Sequence, residues 1–86
     1  MKEHRILIVD DNKDFADVFC DILRANDLKA ESCYGGAQAV ELARDGIFDI
    51  MFLDIRMPEM DGIQTLREIK KLRPDTTVIM MTGYSL

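Results

Sequence analysis

Three runs of four apolar residues punctuate the chain: Ile6-Leu7-Ile8-Val9, Ile50-Met51-Phe52-Leu53 and Val78-Ile79-Met80-Met81. Each is too short for a helix and lacks the alternation of a strand wet on one side, so each predicts a central parallel strand covered on both faces. A fourth segment, Leu28-Lys29-Ala30-Glu31-Ser32-Cys33, alternates apolar or small residues with polar ones. That is the pattern of an edge strand.

Between the strands, Phe15, Val18, Phe19 and Ile22 step at i, i+3, i+4 and i+7, and Ile63, Leu66 and Ile69 follow the same stripe more loosely. Both stripes predict helices that lay these residues on a sheet face. Ala37 to Ala43, mostly small residues around Val40 and bounded by Gly35-Gly36 and Gly46, predicts a helix packed closely on the sheet. Asp61 with Gln64 three residues on reads as a capping box opening the third helix, and Pro74 closes it. Strand and helix therefore alternate from end to end, and right-handed crossovers turn that order into a parallel α/β sheet with helices on both faces.

Composition narrows the class of protein. With 86 residues, 48% of them apolar and 31% charged, the chain predicts one folded unit over 1–86 and excludes a multidomain enzyme or a disordered tail. Eleven Lys and Arg against 16 Asp and Glu give a net charge of −5, which repels phosphate backbones and anionic lipid, so no direct nucleic-acid or membrane partner is expected. No apolar run is long enough for a membrane span or a signal sequence, and a cytoplasmic location follows as an expectation. Cys20 and Cys33 have neither a redox nor a zinc spacing and read as buried, reduced thiols.

Polar side chains close all three apolar runs: Asp10-Asp11 after the first, Asp54 after the second, Thr82 after the third. In an open parallel sheet these carboxyl ends form the ligand crevice, so the four side chains should converge. Two like charges about 4 Å apart at an effective dielectric near 20 cost about 4 kcal/mol, so a cation sits among the carboxylates or one of them is protonated. No Lys or Arg is close in sequence, Lys13 being directed along the first helix, and a hard divalent ion such as Mg2+ suits the oxygen donors. On its own, Asp10-Asp11 also reads as a strand terminus plus a helix N-cap.

These residues carry a resemblance. Asp10-Asp11 after Ile-Leu-Ile-Val, the stretch Asp54-Ile55-Arg56-Met57-Pro58-Glu59-Met60-Asp61-Gly62, and Val78-Ile79-Met80-Met81-Thr82-Gly83 together resemble the receiver domain of two-component response regulators. The resemblance implies a flavodoxin-like doubly wound sheet of strand order 2-1-3-4, with a fifth strand following in the family. It implies that Asp54 accepts a phosphoryl group from a sensor histidine kinase or phosphotransfer protein, and that the domain signals rather than turns over a substrate. It further implies Mg2+ held by Asp11 directly, by Asp10 through water, by Asp54 and by the backbone carbonyl of Arg56, with Thr82 on the phosphoryl oxygen. The chemistry is coherent, because a carboxylate attacking phosphorus needs a cation for the equatorial oxygens and a rigid strand end for in-line approach. The Arg56 side chain either reaches back over that site or is solvated.

The family's fifth-strand lysine, aromatic switch residue and last helix find no match, and the chain reads as the first two thirds of a receiver. Lys70 and Lys71 precede Thr82 and do not take the lysine's place. Three other readings remain: a non-phosphorylated interaction module on the same fold, a magnesium-dependent phosphohydrolase, and a nucleotide binder. The second places its carboxylates at alternate positions and the third needs a glycine- or serine-rich loop after the first strand; Asp10-Asp11-Asn12-Lys13 offers neither. A bare strand Val78–Met81 predicts self-association through its edge. His4 and the cations Arg67, Lys70, Lys71 and Arg73 are read as solvated surface, the methionines as core fillers.

Overall fold

The computed structural model describes residues 4–81. Strands β1 (Arg5–Val9), β2 (Lys29–Cys33), β3 (Ile50–Asp54) and β4 (Thr77–Met81) alternate with helices α1 (Lys13–Ala25), α2 (Gly36–Asp45) and α3 (Gly62–Leu72). All pairings are parallel and the order is β2-β1-β3-β4, as expected. Strand β1, with the apolar run Ile6–Val9, is central, and the alternating β2 lies on one edge.

Strand pleating sorts the core into two layers. On one face Leu7, Val9, Met51 and Leu53 pack against Ala39, Val40 and Ala43 of α2 and Ile69 of α3. On the other, Ile6, Ile8 and Ala30 meet Ala16 and Cys20 of α1, with Phe19, Leu23, Ile50 and Phe52 at the margin. Cys20 and Cys33 are buried and unpaired, one in each layer. His4 is surface, 3.8 Å from Asp49.

Several expectations need correction, among them Ile63 of the predicted α3 stripe, which is 45% exposed while Leu66 and Ile69 pack on the core. The stripe of α1 on the sheet is Ala16-Phe19-Cys20-Leu23, one residue on from the predicted one; Phe15, Val18 and Ile22 are 47%, 57% and 54% exposed. Both stripes have helical spacing, and the small Ala16 and Cys20 let the helix backbone approach β1 where a stripe of bulky residues would hold it off. Phe19 alone belongs to both, packing edge-on against Phe52 with ring centroids 4.9 Å apart. A further correction is β4, which is not covered on both faces. Val78, Met80 and Met81 are half-buried and Ile79 is 42% exposed, because among the described residues no helix covers β4 on the α1 side.

Caps follow the local chemistry. The Asp61 carboxylate accepts the Gln64 N–H at 2.8 Å, opening α3 as expected, and the Asn12 side chain accepts the Phe15 N–H at 3.1 Å, opening α1. Close packing at Gly36 is toward α3 and not toward the sheet: a Cβ there would lie 2.1 Å from Thr65 Oγ1. Two of the four cations near the end of α3 are not simply solvated. Arg73 Nε donates to Ala43 O at 2.9 Å, tying α3 to α2, and the Lys70 ammonium donates to the Thr76 carbonyl.

Candidate functional site: an acidic pocket at the strand ends

The register of the central strands builds the site. Val9 pairs with Leu53, so the next residue on each strand, Asp10 and Asp54, falls side by side at the carboxyl edge, and Asp11 follows before α1 begins. One carboxylate oxygen from each of Asp10, Asp11 and Asp54 lies within 4.8 Å of the others. Asp10 and Asp54 are buried and Asp11 is exposed, which leaves the cluster open to solvent on one side.

Backbone donors hold these carboxylates in place. Asp10 Oδ1 accepts the Asn12 N–H at 2.9 Å, while its own N–H donates to Cys33 O at 3.1 Å. Asp54 Oδ1 accepts the Arg56 N–H at 3.2 Å. Burial pushes the Asp54 carboxyl up to about 6; the Arg56 N–H pulls the other way, and the charges of Asp10 and Asp11, with hydrogen bonding to Asp10, add to the rise. Asp54 thus ends β3 as a buried carboxyl whose ionised form is disfavoured by burial and by two neighbouring acids.

The loop after β3 is shaped around that residue. Pro58 O accepts the Met60 N–H at 2.8 Å in a tight turn that puts Glu59 at φ 66°, in the left-handed region. Met57 folds into the core, as the reading of the methionines as core fillers expects. Gly62 then packs directly against the backbone that follows β3: a Cβ there would sit 2.3 Å from Asp54 O and 2.6 Å from Ile55 Cα. No side chain fits at that position.

Of the predicted site residues, Asp10, Asp11 and Asp54 converge, Arg56 is exposed two residues past Asp54, and Thr82 lies outside the described residues. Sequence reasoning missed Asn12, whose N–H steadies Asp10 while its side chain caps α1; an Asn directly before a helical run was the available signal. It also missed the Lys13 ammonium, which lies over the Tyr34 ring, 5.4 Å from its centroid, on a phenol that donates to Asp17 Oδ1 at 2.7 Å.

A parallel α/β sheet with a buried aspartate ending one central strand, flanked by a carboxylate pair ending the next, defines a pocket suited to a divalent cation beside a carboxylate nucleophile. The chain belongs to the response regulator receiver domains of two-component systems, matching that family over residues 6–86. It is 42% identical over 80 residues to the transcriptional regulatory protein ZraR of Klebsiella oxytoca, covering 93% of this chain and 18% of that protein. Among solved structures, a CheY-like receiver domain protein from Methanospirillum hungatei JF-1 superposes with a TM-score of 0.92 at 32% identity, over 99% of this chain and 68% of that one. The receiver domain of the histidine kinase CKI1 from Arabidopsis thaliana, complexed with Mg2+ and BeF3−, superposes with a TM-score of 0.85 at 31% identity, over 96% of this chain and 68% of that one. The chain thus spans under a fifth of ZraR and about two thirds of these receivers.

Proposed function

We propose that Asp54 is the phosphoacceptor of this receiver and takes its phosphoryl group from a histidine kinase or a phosphotransfer protein. The observation that carries this reading is the placement of Asp54: buried, at the end of a central strand, within 4.8 Å of two further carboxylates, and with its carboxyl pushed up to about 6. An Asp54 carboxylate oxygen attacks phosphorus, the P–N bond to the donor imidazole breaks, its electron pair stays on that nitrogen, and an acyl phosphate forms. The strand end and the Arg56 N–H fix the attacking oxygen in line, and Gly62 keeps the loop pressed against the Asp54 carbonyl.

Asp10, Asp11, Asp54 and the backbone carbonyl of Arg56 would hold Mg2+, and the donor set fits, since these carboxylates crowd together with their mutual repulsion unrelieved. The ion supplies charge neutralisation at the phosphoryl oxygens. The CKI1 receiver with its Mg2+ and BeF3− supports the assignment. Thr82 takes a phosphoryl oxygen. On this reading residues 1–86 act as one cytoplasmic signalling unit, catalysing no more than its own phosphorylation and dephosphorylation. Its partners are the phosphodonor protein and, at the edge of β4, another copy of itself, with no part for nucleic acid or membrane; among the described residues no helix is long and apolar enough to cross a bilayer.

The test is intact mass after treatment with acetyl phosphate and Mg2+. A gain of one phosphate in wild type and none in Asp54→Asn is expected; a gain that survives the substitution moves the acceptor elsewhere. Calorimetric titration with Mg2+ separates the metal from the acceptor: Asp11→Ala should weaken binding at least tenfold, and equal affinity would remove Asp11 from the ligands.

A further inference from the structure

The three acids of the pocket are not held alike. Asp10 and Asp54 each accept a backbone N–H, from Asn12 and from Arg56, whereas the exposed Asp11 carboxylate accepts no hydrogen bond from any described residue. Its place is therefore set by its backbone, a short link between Asp10 at the end of β1 and Asn12, the cap of α1. One side of that link is fixed by Asp10, whose N–H donates to Cys33 O at 3.1 Å. The other side is only as fixed as the start of α1.

Tyr34, the residue after Cys33, holds that start. Its half-buried ring packs on the core layer under α1, its phenol donates to Asp17 Oδ1 at 2.7 Å, and the Lys13 ammonium lies over the ring, 5.4 Å from the centroid. Ser32 Oγ donates to the same Asp17 oxygen at 3.0 Å, so two hydroxyls from the end of β2 converge on one carboxylate. Bonds to a charged acceptor are among the stronger ones. Lys13 is the first residue of α1 and Asp17 stands about one turn further on, so both contacts bear on the helix start. The buried stripe cannot replace them there, because its members at the pocket end, Ala16 and Cys20, are small and offer little side chain to interlock with β1. All of these residues lie by β2, at the opposite edge of the sheet from β4.

We propose that Tyr34 is a positioning residue for the metal pocket: through Asp17 and Lys13 it locks the first turns of α1 to the end of β2 and so fixes where Asp11 presents its carboxylate. The proposal rests on the reading that Asp10, Asp11 and Asp54 hold Mg2+, and deepens it. Tyr34 touches neither the ion nor the phosphoryl group. Cys33 and Tyr34, adjacent at the end of β2, thus set the two sides of the Asp11 link, the first through Asp10 and the second through α1.

The test is calorimetric titration with Mg2+, with far-ultraviolet circular dichroism in EDTA to show that each variant is folded. Tyr34→Phe keeps the ring under Lys13 and loses only the hydroxyl; it should weaken Mg2+ binding by about three- to tenfold, the worth of one hydrogen bond. Asp17→Asn keeps an oxygen for both hydroxyls and should stay within about twofold of wild type, whereas Asp17→Ala should lose at least as much as Tyr34→Phe. With Asp11→Ala in place, adding Tyr34→Phe should change the residual affinity by less than about twofold, because the group being positioned is gone. Equal affinity in wild type and Tyr34→Phe overturns the role of Tyr34 and leaves Asp11 a ligand. So does an equal loss in Asp17→Asn and Asp17→Ala, which would mean that Asp17 acts by its charge alone, or an undiminished effect of Tyr34→Phe without Asp11. A wild type that takes up no Mg2+ overturns the reading of the pocket and this inference with it.

Discussion

Replacing Asp54 by Asn should stabilise the metal-free protein at neutral pH. The amide has the size of the carboxylate, keeps an oxygen for the Arg56 N–H and gains an N–H to offer Asp10, while removing the charge that burial and the neighbouring carboxylates oppose. The magnitude follows from the rise of the Asp54 carboxyl from 3.8 to about 6. Each unit corresponds to about 1.4 kcal/mol, so ionised Asp54 costs about 3 kcal/mol of folding free energy. The sign is fixed by proton counting: between the two values the folded state holds more protons than the unfolded one, so stability falls as pH rises from about 4 to about 6 and is flat beyond. The difference between wild type and Asp54→Asn isolates this group.

The assay is denaturant unfolding of both proteins from pH 3.5 to 7.5 in EDTA, at one protein concentration so that association does not enter the comparison. Asp54→Asn should match wild type near pH 3.5 and exceed it by about 2 to 3 kcal/mol at pH 7, equivalent to more than about 10 °C in Tm for a domain of this size. Saturating Mg2+ should narrow or reverse the gap, because it engages the charge that Asn lacks. A variant less stable than wild type at pH 7, or a gap that does not change with pH, would refute the account of the pocket as an unrelieved cluster of charge.

Gly62→Ala should destabilise by at least about 3 kcal/mol and slow acetyl-phosphate labelling, because its Cβ would meet the backbone of Asp54 and Ile55 at 2.3 and 2.6 Å and neither can yield; thermal unfolding and labelling rate check it. Glu59→Gly should raise stability by up to about 1 kcal/mol by relieving a left-handed non-glycine residue, and a loss on chemical denaturation would show that the Glu59 side chain matters more than its backbone. On α1, Phe15→Ser and Val18→Ser should stay within about 0.5 kcal/mol of wild type while Ala16→Leu costs more than about 2; the reverse ranking in urea would restore the predicted stripe.

What the sequence reveals depends on how many solutions its pattern allows. An all-apolar run such as Ile6–Val9 has one, a strand inside a sheet, and the strands were legible for that reason, while their order was implied by the resemblance to receiver domains. Helix α1 has two. Phe15-Val18-Phe19-Ile22 and Ala16-Phe19-Cys20-Leu23 share a period and differ by one residue in phase; side-chain size favours the first and close approach to β1 the second. Residue-level hydrophobicity does not contain that steric term. The exposed Ile79 was misread for a related reason, since apolarity reports that a strand is suited to burial and not which neighbours supply it. The turn at Glu59 left no sign at all, because neither Gly nor Asn marks the left-handed position.

The acidic pocket was legible because it contradicts the rest of the chain. Among the described residues the other buried side chains are apolar or, as Thr65 and Thr76, neutral and hydrogen-bonded, whereas Asp10 and Asp54 bring carboxylates into a region that disfavours charge, as the raised Asp54 carboxyl registers. Packing cannot account for them, since an Asn or Thr at either strand end would accept the same backbone N–H donors without the repulsion. A cluster of charge that burial disfavours calls for a state in which that charge is useful, and the cation-bound, phosphoryl-accepting state proposed for Asp54 is such a state. The same reasoning separates the site from the solvated acids of α1, Asp14 and Asp21, whose carboxylates meet water and need no such explanation.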